Sequence, residues 1–397
     1  MPRARDVDPR ILPPAQLGVI GGGAAGLCFA DAAHAMGYRV AVLDPDRDSP
    51  AMARADERFV APYDDDAALS SLAARCAAVT VGLECVPSAS VQRVEHACAT
   101  APRAEAVAVL QDRIREKRFL RAIGLAVAPF VAVISESDLA GSGCYPGILK
   151  PAYQDDGGAG HRAVHDARSA IAAWRALEGK PCVLERRLAL EREFAVVMAR
   201  SRGGEACIFP AAETRHVDGL LVLAVVPARI PAEVVARAED AVRRIAGCLD
   251  YVGVLGVEFF VADGGLLVNA VTPRPHDSAR YTLDACASSQ YEQQVRALCG
   301  LPLGDPSPRT AAATTLLAGA AGATPRGEWS RIVGDPAARL HLQDPRPSLA
   351  TPGRIVGHVT HLADESGSAL AMAEACLQRL DARAWNQAAA PRSMLPA

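Results

Sequence analysis

The feature that most constrains this chain is an apolar strand that runs directly into a glycine turn and then a helix. Residues 17–23 read LGVIGGG, residues 24–36 have helical spacing and stop at Gly37, and residues 39–43 form a second apolar strand ending in Asp44-Pro45. In a β-α-β unit of this kind the two strands pair in parallel. The sequence therefore predicts a doubly wound α/β domain, which a strand at 77–83 and a helix over 104–123 continue.

The glycine turn permits two interpretations. Gly21, Gly23 and Gly26 fit the G-x-G-x-x-G fingerprint, and Asp44 follows about 20 residues later, as in folds that bind NAD or FAD. The same glycines are needed for any tight strand-to-helix turn with close helix packing. A Rossmann oxidoreductase therefore stays open at this point.

The pattern changes after residue 127. Short apolar segments that resemble antiparallel strands continue to about 270, with helices near 166–177 and 231–248, which predicts an α+β region in two lobes. A Pro-, Gly- and Ala-rich stretch at 302–328 leads to short strands and a helix around 369–380. The predicted organisation is a flexible tail (1–14), a Rossmann-like domain (15–110), a two-lobed domain (111–305) and a linker with a small β-rich module (306–397).

Charge and composition exclude several classes of function. The net charge of −3, with acids and bases interspersed, provides neither a basic field for nucleic acid nor a polybasic patch for lipid. No apolar run reaches the roughly 20 residues that span a bilayer, and residues 1–16 lack the apolar core of a signal peptide. The 11 cysteines contain no C-x-x-C pair, so we expect free, mostly buried thiols in a reducing cytoplasm.

Lysine is scarce in this chain, so the positions that retain it are candidates for a specific role. Only Lys117, Lys150 and Lys180 are lysines among 42 basic residues. Lys150 ends the apolar segment GILK and precedes the glycine-bearing loop YQDDGGAGH. A cation at a strand end beside backbone N–H groups can bind a phosphate group. An ordinary surface lysine followed by a loop would have the same sequence pattern.

Downstream polar residues suggest a site for a cation and an anion. Glu258 alternates with Val257 and Phe259 in GVEFF, and a carboxylate between apolar neighbours needs a metal or a partner. Further polar residues stand at strand ends or in a Pro-rich segment: Glu185, Glu193, His216, Asn269, Arg274, His276 and Asp277.

The order of these motifs resembles the carboxyaminoimidazole ribonucleotide synthetase family, whose members are ATP-grasp enzymes of purine biosynthesis. The resemblance runs from about residue 17 to 362 and is carried by LGVIGGGAAG, QDRIREKRFL, GILK, VLERRLALEREF, YVGVLGVEFF, LLVNAVTPRPHDSARYT, ASSQYEQQVRALCGLPLG and PGRIVGHV. It implies an ATP-grasp fold with an N-terminal Rossmann-like domain, ATP and Mg²⁺ as cofactors, and a homodimer. It also implies a ligase that phosphorylates bicarbonate and carboxylates an amine, 5-aminoimidazole ribonucleotide.

The resemblance assigns roles to individual residues. Arg274 would hold the carboxyphosphate and act with His276 in catalysis, and Arg354 and Ser278 would join Arg274 around the substrate. The nucleotide would contact Arg113 and Lys150 at the phosphates, Glu185 and Leu188 at the adenine hinge, Glu193 at the ribose, and His216 and Asn269 nearby. Glu258, Asn269 and, as a replacement ligand, Asp277 would hold the metal.

The chain departs from the family pattern at several of these places. Ala270 stands where N-E-x-x-P-R has a metal-binding glutamate, and the lid loop has Asp155 and Asp156 but lacks its usual cation. In the substrate pocket a glutamine, a glutamate and an asparagine are replaced by Ala24, Gly82 and Cys85, and two lysines of the C-terminal module by Pro345 and Ile355.

These departures leave four hypotheses. The first is a carboxylating ligase that acts on aminoimidazole ribonucleotide or on a different amine. The second is a nucleotide-binding or partner-binding pseudoenzyme with an impaired metal site. The oxidoreductase and a ligase that activates a different carboxylate are the other two.

Overall fold

The N-terminal part of the chain forms a parallel five-stranded sheet. The computed structural model describes residues 10–153, 160–217, 219–318, 330, 332–343 and 355–379. The strands are β1 (Gln16–Ile20), β2 (Arg39–Asp44), β3 (Glu57–Val60), β4 (Ala78–Val81) and β5 (Ala99–Thr100), in the order β3-β2-β1-β4-β5. The helices α1 (Ala24–Ala35), α2 (Asp66–Arg75), α3 (Ser88–Glu95) and α4 (Ala104–Leu110), with a 3-10 turn at Pro50–Ala53, complete the predicted doubly wound domain.

The glycine turn between β1 and α1 is packed by the chain's own atoms. A Cβ atom on Gly22 would lie 2.0 Å from Ser49 Oγ, and one on Gly26 would lie 2.3 Å from the Gly21 carbonyl oxygen. Asp44 accepts hydrogen bonds from the Gly22 N–H (2.5 Å) and the Tyr63 hydroxyl (2.8 Å). The turn therefore needs its glycines for packing, and the carboxylate that a dinucleotide ribose would use already has partners.

The predicted helix over 104–123 is wrong, because the structure divides it into α4 and α5 (Arg113–Ala122). Asp112 is the N-cap of α5 and accepts hydrogen bonds from the N–H groups of Ile114 (2.9 Å) and Arg115 (3.2 Å). The Arg113 N–H donates to the Ala152 carbonyl (2.9 Å). A new helix therefore begins at Asp112, and its first turn is fastened to the strand that carries Lys150.

The smaller of two antiparallel sheets follows α5. Its strands are β6 (Phe130–Val133), β7 (Gly147–Pro151), β8 (Arg162–Val164) and β9 (Cys182–Arg186), in the order β6-β9-β7-β8. The helices α6 (Ser137–Ala140) and α7 (Ala167–Ala176) accompany it, and a capping box of Asp166 and Ser169 starts α7. Buried Leu149, Val164 and Leu184 belong to its core.

The larger antiparallel sheet has nine strands in the described residues. They are β10 (Arg192–Arg200), β11 (Ala206–Ile208), β12 (Ala212–Val217), β13 (Leu220–Val226), β14 (Gly253–Ala262), β15 (Gly265–Thr272), β16 (Ala311–Ala318), β17 (Ala338–Leu342) and β18 (Ile355–Ala363). The order is β15-β14-β10-β12-β13-β16-β18-β17, and β11 pairs with β10. The C-terminal strands therefore extend the central sheet through the pairing of β13 with β16.

Helices cover this sheet and complete the fold. They are α8 (Ala232–Cys248), α9 (Thr282–Ala285), α10 (Gln290–Leu298) and α11 (Ser366–Arg379), with a 3-10 turn at Asp277–Ala279. The predicted combination of α/β and α+β structure is confirmed. Seven cysteines are buried as expected, whereas Cys85 and Cys248 are exposed. None of the helices in the described ranges is long and apolar enough to cross a membrane.

Candidate active site

A buried group of two lysines and a glutamate lies between α5 and the smaller sheet. Lys150 Nζ at the end of β7 is 3.0 Å from Glu185 Oε2 on the neighbouring strand β9, and Lys117 Nζ on α5 is 3.2 Å from Glu185 Oε1. Burial alone would raise the pKa of Glu185, but Lys150 and Lys117 lower it to about 2. Glu185 is therefore ionised and holds both lysine heads in place.

The charge of this group favours an anion. Burial, Lys117 and Arg113 lower the pKa of Lys150, so three cations lie around the ionised carboxylate of Glu185. A second buried carboxyl group, Glu116, lies nearby, and burial raises its pKa to about 7. Burial, Lys150 and Arg113 lower the pKa of His161 to about 3, which keeps that imidazole neutral. Asp155 and Asp156, in the lid loop, lie outside the described residues. The described part of this corner carries excess positive charge suited to phosphate.

A second group lies on the larger sheet. His216 on β12 bridges two carboxylates, with Nδ1 2.6 Å from Glu193 Oε2 on β10 and Nε2 3.8 Å from Glu258 Oε1 on β14. Burial would lower the pKa of His216, but Glu193 and Glu258 raise it to about 10. Burial would raise the pKa of Glu258, but His216 and His276 hold it well below its ordinary value.

A β-bulge between β14 and β15 shapes this group. Glu258 pairs with Ala270 and Phe259 pairs with Val268, so Asn269 has no partner residue in the register. A bulge turns successive side chains toward the same face of a sheet. Asn269 Nδ2 accordingly donates to Glu258 Oε2 (2.8 Å), while Ala270 stands directly opposite Glu258.

One hydrogen bond joins the two groups. Lys117 Nζ donates to the Asn269 carbonyl oxygen (3.2 Å), and the adjacent Glu116 accepts from the Val271 N–H (2.5 Å). The resulting polar chain, which we call the inter-sheet network, consists of Lys150, Glu185, Lys117, Asn269, Glu258, His216 and Glu193. It contains six of the residues predicted from the sequence, and Lys117 is an addition.

The residues predicted for catalysis lie beside this network. His276 Nε2 is 3.3 Å from Glu258 Oε1, and its Nδ1 is 2.8 Å from Ser278 Oγ, which fixes the ring. Arg274 forms an ion pair with Glu84, at the carboxyl end of the first sheet, and donates to the Pro275 carbonyl oxygen (2.7 Å). Glu84 is a site residue that sequence reasoning missed, because its position between Leu83 and Cys85 has no pattern that separates it from an ordinary surface acid.

Three further predictions have different outcomes. Asp277 forms an ion pair with Arg280 at 2.7 Å, and although burial would raise its pKa, Arg280 and Arg274 lower it to about 2. Its carboxylate is thus paired with the Arg280 guanidinium, and this geometry does not favour Asp277 as a replacement metal ligand. Leu188 is half-buried just beyond β9, and Arg354 lies outside the described residues.

The donor set around Glu258 fits Mg²⁺ with few protein ligands. Mg²⁺ prefers oxygen, keeps several waters, and is commonly held by one or two carboxylates together with substrate phosphates. Glu258 offers one carboxylate, and Asn269 offers its amide oxygen because its nitrogen points to Glu258. The methyl group of Ala270 adds no oxygen donor.

Two openings border these residues. A cavity of 220 Å³ is lined by Glu193, His216, Arg229 and Leu370, among others. A narrow cleft between the first sheet and β15 is lined by Glu84, Gln111, Val271 and Arg274. A ligand in the first would meet the carboxylate of Glu193, and a ligand in the second would meet the Arg274 guanidinium.

Comparisons with known proteins cover almost the whole fold. The family model of the ribonucleotide synthetase preATP-grasp domain matches residues 15–111, and that of the ATP-grasp domain matches residues 118–291. The N5-carboxyaminoimidazole ribonucleotide synthase of Brucella melitensis is 38% identical over 88% of this chain and 97% of its own length. That of Bacillus subtilis is 36% identical over 74% of this chain and 78% of its own.

Solved structures agree with these matches. An N5-carboxyaminoimidazole ribonucleotide synthetase in complex with ADP superposes with a TM-score of 0.88 and 33% identity, covering 96% of this chain and 99% of that one. An Aspergillus clavatus N5-carboxyaminoimidazole synthase in complex with ADP and 5-aminoimidazole ribonucleotide superposes with a TM-score of 0.83 and 25% identity, covering 92% and 98%.

Proposed function

Because this chain belongs to the N5-carboxyaminoimidazole ribonucleotide synthase family, we propose that it uses ATP and bicarbonate to carboxylate the amine of 5-aminoimidazole ribonucleotide. The resemblance inferred from the motif order is confirmed, and the chain is an ATP-grasp ligase that binds ATP. The observation that carries the proposal is the inter-sheet network with Arg274 beside it, because it combines a phosphate-binding corner with a carboxylate and a second anion site.

The first step needs positive charge around the transferred phosphoryl group. A bicarbonate oxygen attacks the γ-phosphorus of ATP, and the bond from that phosphorus to the ADP oxygen breaks, which gives carboxyphosphate and ADP. Lys150, Lys117 and Arg113 supply the charge that stabilises the phosphates. Mg²⁺, when bound at Glu258 and Asn269, would neutralise charge on the phosphates.

The second step needs an anion site and a proton acceptor. The amine nitrogen attacks the carbonyl carbon of carboxyphosphate, the carbon–nitrogen bond forms, and phosphate leaves with the electron pair of the broken carbon–oxygen bond. The amine must lose one proton, and we assign its removal to the His276–Glu258 pair, in which His276 Nδ1 accepts from the Ser278 N–H (3.3 Å) and Nε2 faces Glu258 Oε1 (3.3 Å). Arg274, oriented by Glu84, would hold the carboxyphosphate.

An altered pocket favours a second candidate, in which a different amine is carboxylated. By the resemblance, Ala24, Gly82 and Cys85 would stand where family members carry an amide, a carboxylate and an amide. A Cβ atom on Gly82 would lie 2.4 Å from the Gly21 carbonyl oxygen, so a glutamate at this position requires the glycine turn to move. Gly82 therefore fits the glycine turn as it stands. A pocket without the glutamate side chain would suit an amine of different shape.

Amine-stimulated release of ADP tests both candidates. Purified protein is incubated with ATP, Mg²⁺ and bicarbonate, and ADP is measured with 5-aminoimidazole ribonucleotide or with a panel of other primary amines. We expect stimulation by one amine, and Arg274→Gln should reduce it, whereas Arg243→Gln on the exposed face of α8 serves as the matched control. Absence of stimulation by every amine would contradict the proposal.

The partners proposed for the chain are small molecules, namely bicarbonate and the amine. A homodimer is the proposed assembly, since the resemblance implies one. Light scattering coupled to size-exclusion chromatography measures the mass directly, and a monomer at micromolar concentration would contradict this part of the proposal.

A further inference from the structure

A second cluster of ligand-type side chains lies outside the inter-sheet network. His341 on β17 stands directly opposite His358 on β18 in the antiparallel register, and Asp284 on α9 faces the pair. Residues in such opposed positions have Cβ atoms about 5 Å apart, so their side chains share one face of the sheet. In the described part of the chain, these three residues are the one group of three His, Cys, Asp or Glu side chains whose ligand atoms all lie within 4.8 Å of one another.

The spacing is close to what a tetrahedral metal ion needs. Asp284 Oδ2 is 2.9 Å from His341 Nε2, and the two imidazole rings are stacked with centroids 4.6 Å apart. Bonds of about 2.1 Å in a tetrahedral site place ligand atoms about 3.4 Å apart. The rings must turn about χ2 so that their lone pairs converge, and this torsion is a soft one in histidine.

His358 has a buried ring nitrogen without a hydrogen-bond partner. The residue is fully buried, and its Nε2 has no hydrogen-bond partner in the structure. Burial, Arg280 and His341 hold its pKa well below the ordinary value, so the imidazole is neutral and can offer a lone pair. A buried polar atom without a partner is costly, and a metal ion would remove that cost.

Gln343 fixes the remaining nitrogen of His358. Its side-chain amide lies 3.1 Å from His358 Nδ1, and the oxygen and nitrogen of an amide exchange places by a 180° turn. With the oxygen toward the ring, Nδ1–H donates to Gln343 and the lone pair is on Nε2. Ligating histidines are commonly oriented in this way through their second nitrogen.

Charge and access are also compatible with a cation. Asp284 contributes a negative charge, and Arg280, which opposes a cation here, is itself paired with Asp277 at 2.7 Å. The His341 side chain is 32% exposed, so an ion can enter from that side and retain a water molecule. We propose that Asp284, His341 and His358 form a zinc site that joins α9 to the C-terminal strands β17 and β18.

Zinc content and thermal stability test this proposal. The full chain is stripped with EDTA, dialysed, exposed to ZnCl₂ and desalted, and zinc per chain is measured by atomic emission. Wild type should retain one zinc ion more than His341→Asn and should show a zinc-dependent rise in Tm that the variant lacks. Thiol-bound zinc does not confuse the result, because the cysteines are the same in both proteins.

Two further variants control the experiment. Asp284→Asn keeps a hydrogen-bonding group beside His341 but removes the charge, and it should weaken zinc binding at least about tenfold. His34→Asn removes a His–Asp pair of the same 2.9 Å separation on α1 and should leave both readouts unchanged. Equal zinc content and equal Tm shifts in wild type, His341→Asn and Asp284→Asn would overturn the proposal and leave His341–Asp284 as an ordinary ion pair.

Discussion

Ala270→Glu would place a second carboxylate directly across from Glu258. The two positions are paired in the register of β14 and β15, so their Cβ atoms lie about 5 Å apart. Two negative charges at this distance repel by roughly 3 kcal/mol at an effective dielectric constant of 20, and by about 1 kcal/mol in bulk water. Since the Glu258 side chain is 20% exposed, we expect the metal-free variant to lose between about 1 and 3 kcal/mol of unfolding free energy.

Mg²⁺ should reverse this loss, because Glu258 and the introduced glutamate would offer it two carboxylates. We expect the Mg²⁺ concentration for half-maximal ATP turnover to fall at least about tenfold, equivalent to about 1.4 kcal/mol. Urea unfolding with and without Mg²⁺ measures the first effect, and a Mg²⁺ titration of ADP release measures the second. Ala270→Gln is the matched control, since it adds similar volume without charge.

The outcome separates two views of the natural protein. If wild type turns over and Ala270→Glu lowers only its Mg²⁺ requirement, Glu258 and Asn269 suffice with the ATP phosphates. Turnover that appears only in Ala270→Glu would favour the pseudoenzyme hypothesis. If Ala270→Glu responds to Mg²⁺ no better than Ala270→Gln, then β14 and β15 do not form the metal site and this reasoning fails.

Three other predictions follow from named contacts. The pKa of His216 is raised from 6.5 to about 10, so its contribution to stability is complete below pH 6.5. That contribution is lost as the pH rises to 10, by up to about 1.4 kcal/mol per pH unit. In urea unfolding from pH 6 to 10, the free energy of unfolding should therefore depend less on pH in His216→Gln than in wild type. Glu185→Gln leaves two buried lysines without their counter-charge and should cost about 3 kcal/mol. Glu136→Gln removes an exposed ion pair with Arg175 and should cost less than about 1 kcal/mol. Asp112→Ala removes the N-cap of α5 and should cost about 1 kcal/mol in the same assay. Asp64→Ala, in the exposed turn before α2, is its control.

The parts of the fold with strong periodicity could be predicted from the sequence. The first β-α-β unit and the long strands β10 and β14 were recognised because apolar residues recur at strand or helix spacing over many residues. The short strands β8 and β12 were missed. β12 reads AETRHV, and its polar residues form ion pairs with Arg229, Glu374 and Glu193 instead of packing into a core, so no apolar pattern signals it.

The sequence predicts which residues belong to the candidate site but not how they contact one another. Glu258 and Asn269 were expected to act together, yet simple alternation cannot reveal that a bulge turns Asn269 toward Glu258. Nor can sequence spacing reveal that Asp277 pairs with Arg280, three residues away in a 3-10 turn. The scarcity of lysine singles out Lys117, but its contact with Asn269, 152 residues later, depends on tertiary packing.

The transfer of a bicarbonate oxygen to phosphate tests the central claim most directly. If the protein phosphorylates bicarbonate and the amine then displaces phosphate, one oxygen of the inorganic phosphate comes from bicarbonate. Bicarbonate labelled with heavy oxygen, ATP, Mg²⁺ and 5-aminoimidazole ribonucleotide are incubated with the protein, and the phosphate is analysed by phosphorus NMR. We predict one labelled oxygen per phosphate released, whereas phosphate that carries only water oxygen would contradict the account.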